Sequence, residues 1–222
     1  MDKNQNFISY SGLQFSEEQT KLKSEEFFGF MNQRRSLREF SDKLIDKEVI
    51  ENVIKTASTA PSGAHKQPWT FCAISNLEIK SKIREAAEKE EYQNYHGRMS
   101  DDWLKDLEKF DTNHIKPFLE IAPWIIVVFK QTFGLKDGEK ELHYYVNESV
   151  GLACGMLLTA IHNAGLVALT HTPSPLNFLT KILNRPSNEK PFLLIPIGYP
   201  AKDAKVPNLD RKELKDIAVW FT

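Results

Sequence analysis

Apolar side chains at Val49, Ile50, Val53, Ile54 and Ala57 recur at the spacing of one helical face, so a helix is expected from Asp46 onward. It stops at Ala60-Pro61-Ser62-Gly63, where proline and glycine punctuate a loop. Upstream, Ser16-Glu17-Glu18-Gln19 has the capping-box pattern and predicts a helix running towards Met31. The first fifteen residues lack periodicity and read as an arm. Trp69 to Ile74 and Trp124 to Lys130 are apolar runs of strand length, and Leu77 to about Tyr95 is a charged helix followed by a shorter one from Asp101 to Phe110. A long helix is expected from roughly Leu142 to Asn163, with Gly165 placed as its C-cap. Its Gly151, Ala153, Cys154 and Gly155 leave a smooth face that another helix can approach closely. The remaining elements are a strand at Leu166 to His171, a helix at Asn177 to Leu183, a strand at Phe192 to Ile197 and a closing helix at Lys212 to Trp220. Many helices and few strands predict an α+β fold with helices covering a central sheet. With no strong linker, residues 16–222 read as one domain behind an arm at 1–15.

Composition narrows the function more than the fold. The 222 residues are 41% hydrophobic and 27% charged, ordinary for a globular domain, and the formal net charge of −1 gives no global field to recruit nucleic acid. The longest apolar runs, Ala122 to Phe129 and Phe192 to Ile197, are far shorter than a membrane span. Met1 to Phe7 is polar and lacks the apolar core of a signal peptide, so a soluble cytoplasmic protein without membrane contact is expected. Cys72 and Cys154 both sit in apolar runs and read as buried free thiols rather than a disulfide or metal site.

Four clusters carry candidate chemistry. Arg34, Arg35, Ser36 and Arg38 put three guanidiniums and a hydroxyl into five residues, suited to an anion clamp and equally to a solvated basic turn. Pro61-Ser62-Gly63-Ala64-His65 is either a loop presenting backbone donors to a flat ligand or an ordinary helix-to-strand connection. Thr170-His171-Thr172-Pro173 ends a strand, where hydroxyls face ligands or simply satisfy strand propensity. Glu91 and Tyr95, four apart, share a helix face, and Lys116 follows the next helical segment. A carboxylate, a phenol and an ammonium could grip a zwitterionic amino acid, or form a solvated face with a chance pairing. No histidine pair has metal-ligand spacing, and Tyr144, Tyr145, Trp103 and Trp220 read as packing or interface aromatics.

In their order along the chain, these segments resemble the nitroreductase superfamily, and in particular its iodotyrosine deiodinase branch, over nearly everything from about Met31 onward. The strings that carry the resemblance are RRSLR at Arg34–Arg38, TAPSGAHKQPWTF at Thr59–Phe71, EYQNYHGRM at Glu91–Met99, TNHIK at Thr112–Lys116, HYYVNES at His143–Ser149, ALTHTP at Ala168–Pro173 and VPNLDRK at Val206–Lys212. The resemblance implies a nitroreductase-like α+β fold with a mixed or antiparallel central sheet, an intertwined homodimer and flavin mononucleotide (FMN) as cofactor. It further implies that Arg34, Arg35, Ser36, Arg38 and Arg211 hold the phosphate and ribityl chain. Pro61, Ser62 and Gly63 would line the ring, and Thr170, His171 and Thr172 its edge, with the Thr172 hydroxyl on N5 as the catalytic contact. Ala64 would offer its N–H to a substrate phenolate. Glu91, Tyr95 and Lys116 would clasp the amino-acid end under a lid at about 88–118. His171 is a departure, standing where the family carries another threonine. The implied reaction is reductive removal of halogen from iodo-, bromo- or chlorotyrosine, with electrons from an unidentified reductant or reductase. Competing expectations are a general NAD(P)H-dependent nitroreductase or quinone reductase and a non-catalytic FMN- or halotyrosine-binding protein.

Overall fold

The computed structural model describes residues 7–222, in two compact units, one ending at Arg34 and the other running from Arg35 to Thr222. The part of the expected arm before Phe7 lies outside the described residues. In the first unit the capping box forms: Ser16 Oγ accepts from Gln19 N at 3.2 Å while Gln19 Oε1 accepts from Ser16 N at 3.0 Å, opening helix α1 (Glu17–Asn32). None of the residues of α1 is buried, and Leu22, Phe27 and Phe28 remain exposed.

The second unit is built on strands β1 (Trp69–Ile74), β2 (Trp124–Gln131), β5 (Val167–Ala168) and β6 (Glu189–Gly198), in the spatial order β1-β2-β6-β5 with every neighbour antiparallel. Strand alternation sorts β2 onto two faces. Ile126 and Val128 enter a core with Val53 and Ala57 of α2 (Lys47–Ser58) and Val150, Ala153, Leu157 and Ile161 of α6 (Val146–Asn163). Ile125, Val127 and Phe129 enter the opposite core, against Ile83 and Ala87 of α3 (Leu77–Gln93), Phe118 and Leu119 of α5 (Phe118–Ile121) and Leu179 of α7 (Phe178–Ile182). The sheet is thus sandwiched between helical layers, as the α+β expectation requires. Among the described residues no helix is long and apolar enough to cross a membrane.

Four expectations need correction. The strand at Leu166 to His171 shortens to Val167–Ala168, because the next partner in register is Pro196, which has no N–H to donate. Pairing resumes at one bridge, where His171 N–H donates to Leu194 O at 2.8 Å and Leu194 N–H to His171 O at 3.1 Å. The long helix starts at Val146 rather than Leu142, since residues 133–142 form a hairpin of β3 (Phe133–Lys136) and β4 (Glu139–Leu142). Asp137 and Gly138 turn that hairpin with φ of 53° and 85°. The closing helix at Lys212 to Trp220 reduces to a 3₁₀ turn at Leu214–Asp216, and Leu214, Ile217, Val219 and Trp220 stay exposed. A segment this short has no stable helix without a surface for its apolar residues. Finally, Cys72 is only half-buried; Cys154 is buried, and desolvation pushes its thiol up to about 12.

Candidate active site

Helix α3 buries one stripe: Lys80, Ile83, Ala87 and Glu91 stand at helical spacing and face inward. The stripe is apolar in its middle and charged at both ends. Lys80 is satisfied structurally, its ammonium donating to Glu120 O and Ala122 O at 2.8 Å each. Glu91, at the far end, reaches Lys116 Nζ at 3.6 Å. Between them the chain makes a π-helical turn at Asn94–Arg98 and helix α4 (Asp101–Glu108), then returns through Thr112. The return is pinned where the Lys116 N–H donates to Glu88 Oε1 at 2.7 Å, and Arg84 braces Glu88 and Glu120. Tyr95 donates its phenol proton to Thr112 O at 3.2 Å, and Lys116 lies 5.6 Å from the Tyr95 ring centroid.

These three side chains line one cavity of about 190 Å³, together with Arg38, Thr170, His171 and Thr172. Arg38 arrives because the connector runs beside the end of β5, with a parallel bridge from Ser36 to Ala168 and Leu37 N–H donating to Ala168 O. Alternation along the extended chain leaves Thr170 and Thr172 exposed and turns His171 inward. Arg35 donates to Pro207 O, which ties the connector to the segment carrying Arg211. Arg34 is the last residue of the first unit, its N–H bonded to Met31 O. Met99, Trp103, Leu107, Thr112, Phe118 and Leu169 complete the cavity wall. Met99, Thr112 and Leu169 lie within strings that carry the family resemblance, Trp103 reads from the sequence as a core or interface aromatic, and no local signal singles out Leu107 or Phe118.

The cavity is electrostatically unsettled. Glu91 and Lys116 are 7% and 3% exposed, too deep for water to stabilise either ion fully. Burial pushes the Glu91 carboxyl up against the opposing pull of Lys116, and pushes Lys116 down against Glu91. At 3.6 Å the pair is loose, so each ion would gain from a closer partner of opposite sign. Burial also lowers Arg38, whose guanidinium lies 5.6 Å from the Phe110 ring centroid.

His171 is held neutral, its pKa pushed down to about 3 by burial and then by the charges of Lys116 and Arg38. A ring that stays neutral when folded but ionises when unfolded stabilises the protein above pH 6.5, and that contribution fades as pH falls towards 3. Between pH 7 and pH 4, wild type is therefore expected to lose roughly 3 kcal/mol more stability than His171→Phe. Urea unfolding at the two pH values measures this; equal losses would mean the ring is not held neutral.

The Pro61–Ala64 loop lies elsewhere. It packs on the start of α6: Gly63 N–H donates to Ser149 Oγ at 3.3 Å, and a Cβ on Gly63 would come within 2.7 Å of the Tyr144 carbonyl oxygen. Ala64, His65 and Gln67 all have left-handed φ of 49°, 55° and 47°, each costing on the order of 1–3 kcal/mol for a residue with a side chain. Ser62 Oγ supports the loop by accepting from Gln67 N at 2.9 Å. The Ala64 N–H has no partner among the described residues and is exposed. No residue of this loop lines the cavity of its own chain.

Residues 31–199 match the nitroreductase family. The chain is 61% identical over 216 residues to iodotyrosine deiodinase of Haliscomenobacter hydrossis, covering 97% of each chain. It is 46% identical to iodotyrosine deiodinase 1 of Homo sapiens, covering 98% of this chain and 76% of that one. Among solved structures it resembles oxidized iodotyrosine deiodinase bound to FMN and 3-iodo-L-tyrosine, with a TM-score of 0.75 at 29% identity over 88% of this chain and 98% of that one. The chain belongs to the nitroreductase family, in its iodotyrosine deiodinase branch.

Proposed function

We propose that this protein is an FMN-dependent enzyme that reductively removes halogen from halotyrosines, releasing tyrosine and halide. The observation that carries the reading is the convergence of Glu91, Tyr95 and Lys116 on one cavity with Arg38 and the Thr170–Thr172 segment. A neutral nitroaromatic has no use for paired opposite charges; the two ends of an amino acid do. The substrate ammonium replaces Lys116 as the partner of Glu91, and its carboxylate takes Lys116 and the Tyr95 phenol. Residues 88–118 act as the lid of the 16–222 domain, closing over the substrate and excluding water.

The protein's unpaired groups fit FMN. Among the described residues, the Arg38 guanidinium and the Thr170 and Thr172 hydroxyls have no hydrogen-bond partner, donors suited to a flat, many-acceptor anion. Arg34, Arg35, Ser36, Arg38 and Arg211 would hold the phosphate and ribityl chain, Pro61, Ser62 and Gly63 the ring face, and Thr170, His171 and Thr172 its edge. When bound, FMN supplies the two electrons of the reaction. Cleavage of one carbon–halogen bond consumes those electrons and one proton, which takes the halogen's place on the ring. The Thr172 hydroxyl would meet the flavin at N5, and the Ala64 N–H would stabilise the phenolate by about 1.5–3 kcal/mol. Ala64 reaches the substrate only from a second copy, because its loop stands away from the cavity of its own chain. This supports a homodimer with a flavin at each subunit junction. An unidentified cytoplasmic reductase or small reductant would recharge the flavin.

The test is direct. Protein reduced with dithionite under anaerobic conditions is expected to be reoxidised by 3-iodotyrosine, with one iodide released per flavin. Reoxidation by a nitroaromatic alone would point to a general nitroreductase instead.

A further inference from the structure

Helix α3 and the π-helical turn that follows it carry two parallel rows of residues four apart. Ile83, Ala87, Glu91 and Tyr95 form the inner row, and Arg84, Glu88, Tyr92 and His96 form an outer row one position on. Each member of the outer row meets the chain returning from the lid. Arg84 reaches Glu120 at 3.1 Å, and Glu88 Oε1 accepts the Lys116 N–H at 2.7 Å. Farther out the contacts become aromatic. The Tyr92 and His96 rings stack with centroids 4.1 Å apart, and both meet the His114 ring edge-on, at 5.2 Å and 5.7 Å. His96 is fixed in this pose, because its Nδ1–H donates to Tyr92 O at 2.7 Å; a carbonyl only accepts, so the proton is on Nδ1. None of the three rings lines the cavity, so a ligand there takes none of these contacts.

Substrate acts differently on the two rows. The cross-links of the inner row, Glu91 to Lys116 at 3.6 Å and the Tyr95 phenol to Thr112 O at 3.2 Å, use the same groups that grip the amino-acid end. Glu91 and Lys116 are buried, so substrate enters only when the lid opens. As the lid closes again, the inner row gives its groups to the guest, and the outer row joins the two arms chain to chain. His114, two residues from Lys116, is where the returning chain meets the distal end of that row.

Building on the functional reading above, we propose that His114 is a positioning residue: its ring, seated against Tyr92 and His96, holds Lys116 opposite Glu91 while substrate replaces the contacts between them. The seat calls for a ring rather than a charge. The charge of His114 does reach Glu91, where burial pushes the carboxyl up against the pull of Lys116 and, to a smaller extent, of His114. A phenyl ring at this position keeps the packing and drops that influence.

The FMN-loaded oxidised enzyme, titrated with 3-iodotyrosine and followed by flavin fluorescence, tests this with two variants. His114→Ala removes both edge contacts and lowers the fraction of closed lid, so binding is expected to weaken about tenfold. His114→Phe should stay within about threefold of wild type. FMN affinity should be the same in all three, since the rings lie outside the cavity. Stopped-flow mixing should place the loss in His114→Ala in faster iodotyrosine dissociation, with association little changed. Wild-type affinity in His114→Ala, loss without rescue in His114→Phe, a change in FMN affinity, or a loss carried by slower association would each overturn the inference alone. Failure of the wild-type holoenzyme to bind iodotyrosine would overturn the functional reading and the inference with it.

Discussion

Glu91→Gln is expected to leave FMN binding unchanged and to weaken 3-iodotyrosine binding by roughly 30- to 1,000-fold, the cost of removing one partner from a desolvated charge pair. The substitution keeps the shape of the side chain, so lost packing is not part of the effect. Two terms add. The substrate ammonium loses its counter-ion in a site where Glu91 is 7% exposed, and Lys116 loses the charge that opposes its desolvation. Lys116 then has less reason to stay protonated, and the carboxylate end weakens along with the ammonium end. Calorimetric titration of the oxidised holoenzyme reads both, and an unchanged dissociation constant would remove the clasp from the account.

The second large effect is on stability. Phe129→Ala is expected to cost about 3–5 kcal/mol, because a fully buried aromatic ring is deleted from the core and the cavity cannot collapse completely. For a chain of this size that lowers Tm by about 10 °C. Phe129 lies on the face of β2 that also packs Phe118, Leu119, Ile83 and Ala87, residues at the two ends of the proposed lid. The same change on the exposed hairpin, Leu135→Ala, should shift stability by less than about 0.5 kcal/mol. Thermal unfolding of the two variants side by side separates them; comparable losses would contradict the assigned core.

Local signals in the sequence identified several of the elements. The α2 stripe, the β1 run at Trp69–Ile74 and the capping box at Ser16 all have local causes and stand where the pattern places them. The failures also have causes. The strand after Leu166 is cut short by a proline on a different strand, a tertiary fact no local window contains. The β3–β4 hairpin was legible, since Asp137-Gly138 is a strong turn signal, but its flanking residues are too polar to read as strands. The closing helix had suitable apolar spacing and nothing in its own chain to bury it against. For the site, spacing could place Glu91 and Tyr95 on one face, but only folding brings Lys116, Arg38 and His171 to the same cavity.

The Ala64 loop and the clasp stand apart within one chain, and that arrangement has a price in solution. On the proposed homodimer, an isolated polypeptide would carry fragments of two workplaces and no finished one. Specific activity should then track self-association and vanish on extreme dilution. Two differently crippled copies, one damaged in the loop and one in the clasp, could regain a working centre simply by being mixed.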